Sequence, residues 1–336
     1  MKKLVILLIK FFTPLLVIIA IYAWLDPFKV VRHYDTYYKP YNKVSVFLDK
    51  DYISTANYDN RYEKEHYDSF IFGNSRSMMY QAAQWQKYIG AGSRPYHFDA
   101  SNETLFGICK KIAYIDNKQE KLKNVLLVID RQLLLQTKSN EGHLFEISPQ
   151  LVNNKNFTDF HLTFFRASLT CKFLPGYVDY KVSGTPKPYM TGNVLDDIPF
   201  TYNAVINEMV MTDTERSIAE GTFYTAERMN VFYKRDTIQK VSEACIGIKQ
   251  KQMLSEISSI LKKHGTRLKI VINPLYNQEK LNPKDIAFLK RLFGPDVVYD
   301  LSGINSITND YRNYYENSHY RPQVANIVLK KMYGGR

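Results

Sequence analysis

Residues 68–77 read DSFIFGNSRS. A short apolar run closed by Gly73 and Asn74 predicts a buried strand that ends in a turn. Beyond the turn, Met78, Met79, Ala82, Trp85 and Tyr88 recur at helical spacing over 76–89, and Gly90 supplies a stop. Residues 95–100 (PYHFDA) form a second candidate strand, and Leu105, Ile108, Ile112 and Ile115 share one helical face over 103–115. Residues 124–130 (NVLLVID) are continuously apolar, as suits a parallel strand buried on both faces. Strand, helix, strand, helix, strand predicts an α/β fold built on a parallel sheet.

The same alternation returns near the C-terminus. A long helix is expected over 240–264, with Ile246, Met253, Ile257 and Leu261 inward, then a strand over 267–273 (RLKIVIN). Asn282-Pro283 opens a helix to about Phe293, residues 297–300 (VVYD) give another strand, and Pro322 opens a last helix with Val324, Ile327, Val328 and Leu329 inward. Between the halves, residues 131–239 break the pattern and read as a large insertion, a lid or substrate wall. Residues 26–66 are polar and Tyr-rich, without a clear period, and read as a connector packed on the body. The α/β domain is thus expected over 67–336.

The chain has 336 residues, 45% hydrophobic and 23% charged, which excludes a disordered chain and a disulfide-dense miniprotein. Its 26 Tyr and 19 Phe are the unusual item. Residues 4–25 (LVILLIKFFTPLLVIIAIYAWL) carry one charge, Lys10, over 22 residues. A bilayer needs about 20 apolar residues, so residues 1–25 are expected to be an uncleaved transmembrane signal anchor. Lys2 and Lys3 favour an N-terminus in the cytoplasm, although Lys29 and Arg32 weaken that bias. The expectation is a single-pass protein of the inner (cytoplasmic) membrane with its body on the extracytoplasmic, periplasmic side.

The formal charge is +12, but three lysines and no acids lie in 1–25, so the remainder carries +9. Lys and Arg are scattered without a basic run, so no nucleic-acid partner is expected. An anionic lipid or glycan suits the charge better. Three cysteines, Cys109, Cys171 and Cys245, are widely spaced, which gives neither a disulfide framework nor a metal set. No metal and no cofactor is expected.

Ser75 sits in FGNSRS, after the first strand and at the start of the next helix, where backbone N–H groups favour a developing anion. A serine nucleophile needs a base. Residues 315–322 read YENSHYRP, with His319 just before the last helix and Glu316 three residues earlier. That spacing lets a carboxylate reach one imidazole nitrogen while the other faces the serine. Both pieces fall at edges of the predicted sheet, and ligands bind outside the carboxyl ends of such strands. Arg76, next to the serine, reads as a contact to an anionic or sugar substrate, with Asn74 beside it.

Gly73-Asn74-Ser75 with Glu316-x-x-His319 before the last helix resembles the SGNH (GDSL-type) hydrolase superfamily over roughly 68–130 and 240–333. The resemblance is to its membrane-anchored, extracytoplasmic branch, which includes proteins tied to bacterial polysaccharide O-acetylation. It implies a flavodoxin-like parallel sheet sandwiched by helices. It also implies Ser75 as nucleophile, His319 as base and Glu316, in place of the family's Asp, as the orienting carboxylate. Aligning the second motif with HFDASNET puts Asn102 at the family's oxyanion glycine. The third motif's Asn is absent; VIDRQ places Asp130 and Arg131 there, and Arg131 or Arg76 is the remaining donor.

The expected function is a serine esterase or O-acyltransferase acting on acyl, by expectation acetyl, groups of a cell-surface glycan in the bacterial cell envelope, such as an exopolysaccharide. It would proceed through an acyl-serine, beside a membrane acyltransferase partner. The alternative is a catalytically inactive member of the fold that binds or scaffolds in a polysaccharide-modification complex.

Overall fold

Five of the predicted strands pair into one parallel sheet in the computed structural model of the protein, which describes the backbone of residues 2–334 and the side chains of all of these except residues 2, 4–6, 8 and 9. The strands are β1 (Ser69–Gly73), β2 (Pro95–His97), β3 (Asn124–Ile129), β4 (Arg267–Ile272) and β5 (Val298–Asp300). Their spatial order is β5-β4-β3-β1-β2, every pairing is parallel, and Phe70 stands beside Val125, Val128 beside Val271. Every residue of β1 and β3 is buried, which is why these strands read as unbroken apolar runs.

Helices of eight residues or more are α1 (Lys2–Leu25), α2 (Lys50–Asp59), α3 (Ala82–Ile89), α4 (Leu105–Asn117), α5 (Phe157–Ser168), α6 (Leu174–Ser183), α7 (Thr212–Ala219), α8 (Ile248–Lys263), α9 (Pro283–Phe293) and α10 (Pro322–Tyr333). Side chains alternate across the sheet with the strand period. Phe70, Phe72, Val125, Leu127 and Ile270 face Ile108 and Ile112 of α4 and Ile257 of α8. Ile71, Leu126, Val128 and Val271 face Trp85 of α3 and Val324 and Val328 of α10. Half of the 26 tyrosines are buried, so about half of the aromatic excess is core material.

Three elements differ from expectation. The helix expected from 76 is a 3-10 turn over Ser75–Met79, a break at Tyr80 and Gln81, and then α3. The break follows from a partner far away in sequence: the Ala82 N–H donates to the Glu208 carboxylate (2.5 Å). The helix expected from 240 begins at Ile248 behind Gly247. Its first turns are lost because the Asp285 carboxylate accepts the N–H groups of Cys245 (2.8 Å) and Ile246 (3.1 Å). On α10, Ile327 faces outward and is 49% exposed.

The connector and the insertion form a layer of their own. Tyr41–Asn42 pairs antiparallel with Phe200–Thr201, and Ser45–Val46 with Leu195–Asp196. Helix α2 is fixed to the sheet by the Ser54 hydroxyl on the Asp99 carbonyl (2.8 Å) and the Tyr96 hydroxyl on the Ser54 carbonyl (2.6 Å).

The expectation of a transmembrane anchor is corrected. Among the described residues no helix is long and apolar enough to cross a membrane. Helix α1 forms, but its side chains are described without interruption only over 10–25, a stretch that contains Lys10 and Pro14. Lys2 and part of the apolar run, residues 4–6, 8 and 9, lie outside the described side chains. The last turn of α1 belongs to the body: Tyr22 is 8% exposed and its ring meets Phe165 edge-on at 5.3 Å. Single-pass inner-membrane anchoring, with the periplasmic placement drawn from it, is therefore not supported.

Candidate active site

The site is assembled where the chain leaves the carboxyl ends of β1, β3 and β4. Gly73 closes β1, and no larger residue fits: a Cβ there would lie 2.6 Å from the Val128 carbonyl oxygen and 2.8 Å from the Ser77 Cβ. Asn74 caps the 3-10 turn, its side-chain oxygen accepting the Arg76 N–H (3.1 Å). Ser75 is thereby presented, half-buried, at the head of that turn.

The Ser75 Oγ lies 2.7 Å from His319 Nε2, and His319 Nδ1 lies 2.5 Å from Glu316 Oε1. An ionised carboxylate only accepts, so Nδ1 carries the proton and Nε2 is left free to take one from the serine. Glu316 also accepts the backbone N–H groups of Ser318 (2.7 Å) and His319 (2.8 Å). Burial pushes its carboxyl pKa up, but the bonds to His319 and to the two amides outweigh that and hold it below the usual carboxylate value. The longer Glu side chain folds back over its own loop to reach these donors.

That loop is rigidly held. Tyr314 and Tyr320 bridge across its base, and the Tyr315 N–H donates to the His319 carbonyl (2.9 Å). Tyr314 and Tyr320 are fully buried and donate their hydroxyls to the Pro274 carbonyl (2.8 Å) and the Asn273 side-chain oxygen (2.9 Å). The insertion braces the outer side, with Arg321 paired to Glu215 (2.7 Å) and the Tyr224 hydroxyl on the Tyr314 carbonyl (2.8 Å).

Beneath the triad lies a buried polar knot centred on Asp130, which follows β3. Its Oδ2 accepts from Asn74 Nδ2 (2.8 Å), an Arg76 Nη (2.9 Å) and Asn273 Nδ2 (3.2 Å), while its Oδ1 accepts the Leu133 N–H (3.0 Å). Arg76 also donates through Nε to the Ser318 carbonyl (2.9 Å) and through its second Nη to the Ser318 hydroxyl (3.1 Å). Arg76 therefore ties the serine turn to the histidine loop.

The expected oxyanion and substrate residues fare differently from the triad. Asn74 and Arg76 are fully engaged within the protein, so neither reads as a substrate contact. Arg131 donates through Nε to the Glu243 carbonyl (3.3 Å) and makes no contact with the triad among the described residues. Asn102 sits in the left-handed region (φ 52°), with its side chain accepting from Gln132 and its carbonyl from Asn140. Its loop is pinned beside the serine turn by the Ala100 N–H on the Gly73 carbonyl (3.3 Å).

Asn273, after β4, is a site component that the sequence did not single out, and Asp130, which the resemblance puts at the third motif, has the further role of anchoring the knot. The available signal was position, since each is the last residue of a predicted strand, at its carboxyl end. Among the described residues, no cluster of three or more His, Cys, Asp or Glu is placed to hold a metal ion. All three cysteines are free, and burial pushes the thiols of Cys109 and Cys245 up to about 12, which leaves them protonated and unreactive.

Compared with protein-family models and with curated proteins, the sequence matches none.

Proposed function

We propose that the protein is a serine esterase or O-acyltransferase of SGNH type acting on acyl groups carried by a glycan. One observation carries the reading: a continuous hydrogen-bonded line from Glu316 through His319 to Ser75, at the carboxyl ends of a parallel sheet. The strand order, which is the doubly wound flavodoxin-like 2-1-3-4-5, supports it as well. In this mechanism His319 Nε2 takes the Ser75 proton as Oγ attacks the ester carbonyl, forming a tetrahedral oxyanion. Collapse breaks the ester C–O bond, and His319 returns the proton to the departing sugar oxygen. Water or a second sugar hydroxyl then resolves the acyl-serine by the same steps in reverse. Glu316 holds the tautomer and stabilises the imidazolium. The backbone N–H groups of Ser75 and Asn102 are the donors assigned to the oxyanion.

A second reading, a non-catalytic scaffold of the same fold, is favoured by Asp130, which stands where the family places an oxyanion-hole Asn. A fluorophosphonate probe separates the two. The enzyme reading expects the wild type to be labelled at Ser75, Ser75→Ala to be unlabelled, and His319→Ala to be labelled far more slowly. Equal labelling of all three, or none of the wild type, would favour the scaffold.

A further inference from the structure

A cleft of about 730 Å³ opens beyond the C-terminal end of α1, between residues 25–48 and the end of α6. Its size falls within the range of small-ligand sites. Lys29, Arg32, Lys39, Lys43 and Lys181 line it, against a single carboxylate, Asp26. That carboxylate is largely spent on its own loop and on Arg32, whose Nε lies 3.9 Å from its Oδ2. It accepts the N–H groups of Val30 (2.9 Å) and Arg32 (3.0 Å) and the Tyr34 hydroxyl (3.0 Å). Among the described residues, Lys39, Lys43 and Lys181 form no ion pair. Burial first, and then the neighbouring Lys181, pushes the Lys29 ammonium pKa down, against the opposing pull of Asp26.

The backbone shares this arrangement. Asp26 (φ 38°) and Lys29 (φ 56°) both occupy the left-handed region, uncommon for side-chain-bearing residues and found where a constrained loop aims a group. Tyr34, Tyr41, Tyr177 and Tyr180 add rings to the same walls. Tyr34 stands under Lys29 and Tyr177 under Lys181, at 5.5 Å from ring centre to nitrogen in both cases. Lysines without an ion-pair partner recognise an anionic group, and the accessible rings of Tyr41 and Tyr180 suit the apolar faces of sugar rings.

We infer that this cleft is a binding site for an anionic saccharide, separate from the serine site, whose residues it does not share. Lys39, Lys43 and Lys181 take the carboxylate or phosphate of the sugar, and Tyr41 and Tyr180 take its ring faces. The inference does not rest on the acyl-transfer reading, because binding is read without any acyl donor.

Calorimetric titration of the full chain tests it, with hexagalacturonate as the anionic saccharide and maltohexaose as its neutral counterpart. Inorganic phosphate and phosphatidylglycerol vesicles serve as further arms. The expected result is binding of hexagalacturonate, weakened by salt, with maltohexaose at least tenfold weaker. Replacing the three exposed lysines together (Lys39→Gln, Lys43→Gln, Lys181→Gln) should weaken binding about tenfold or more, since charge-assisted bonds are removed. Tyr180→Ala should weaken hexagalacturonate binding while leaving the weaker binding of inorganic phosphate unchanged. Unaltered affinity in the triple variant would overturn the inference. So would equal binding of maltohexaose, or binding of the vesicles with none of hexagalacturonate. The three lysines are exposed, so the variant is expected to fold, and a circular dichroism melt matching the wild type verifies it.

Discussion

Arg76 is the residue on which the geometry of the site turns. Three of its nitrogens bridge Asp130 beneath the serine turn and Ser318 in the histidine loop. The Arg76–Asp130 pair is nearly buried, with side chains 12% and 2% exposed. Removing one partner of such a pair leaves a buried charge and costs about 3–5 kcal/mol. Arg76→Ala should therefore lower the unfolding free energy by about that amount in urea titration. Arg76→Lys keeps the charge but loses the planar fork, so it should lower kcat with little change in KM. A matching rise in KM would instead make Arg76 a substrate contact. Glu316→Gln tests the orienting role: an amide in place of the carboxylate favours the wrong tautomer, and by analogy with serine triads kcat should fall on the order of 10⁴-fold. Buried His97 supplies a pH test. Burial lowers its pKa from 6.5 to about 4, so between those values the unfolded chain takes up a proton that the folded chain refuses. Stability should fall as pH drops through that window. Below 4.5 the depressed Glu316 carboxyl acts in the same direction, its stabilisation being lost as pH falls through its folded value. Melting temperatures of the wild type and His97→Gln at pH 7, 6, 5 and 4 measure this; the variant should show a flatter slope, and an unchanged slope would remove His97 as a source.

At the scale of elements, Gly73 shows how a strand end can set a site. Gly73→Ala would drive a methyl group against the Val128 carbonyl and Ser77, and overpacking of this kind costs about 1–3 kcal/mol. It should lower the melting temperature and slow Ser75 labelling, because the serine turn must shift; an unchanged labelling rate would show that the turn absorbs the methyl group. What the sequence reveals here follows from what determines each element. Strands β1 and β3 were legible because both faces of each are buried and their apolar runs are unbroken, and β4 because its last three residues, Ile270, Val271 and Ile272, are buried in the same way. The Ser75, His319 and Glu316 line was legible because local spacing and strand ends place it. The early break of the helix after Ser75 and the late start of α8 were not, because Glu208 and Asp285 decide them from outside the local window. The engagement of Arg76 and Asn74 within the protein was not legible for a similar reason. Their partner Asp130 lies more than fifty residues away, so composition near the serine says nothing of it.

Across the whole molecule, the parallel sheet and the serine site are joined to a second layer made by the connector and the insertion. Phe200 packs there against Tyr38 at 5.2 Å and belongs to a buried cluster with Tyr37, Ile53 and Tyr202. Phe200→Ala should cost about 3–5 kcal/mol. The folded fraction should still label at Ser75 at the wild-type rate, since that cluster contains none of the site residues; a loss of labelling in folded protein would couple the layer to the site. Antiparallel partners some 150 residues apart leave no periodic signal within 26–66, and so the segment read only as a connector. The N-terminal run taught the opposite lesson: a long apolar stretch predicted a span, whereas its last turn is packed into the body through Tyr22.

The central claim is that Ser75 is a nucleophile activated by His319. Mass spectrometry of the intact protein after brief exposure to p-nitrophenyl acetate tests it most directly. An acetyl group on Ser75 in the wild type, absent from Ser75→Ala and strongly reduced in His319→Ala, is the predicted result. A wild type that stays unmodified at Ser75, or acetylation there that is equal in His319→Ala, would contradict the claim.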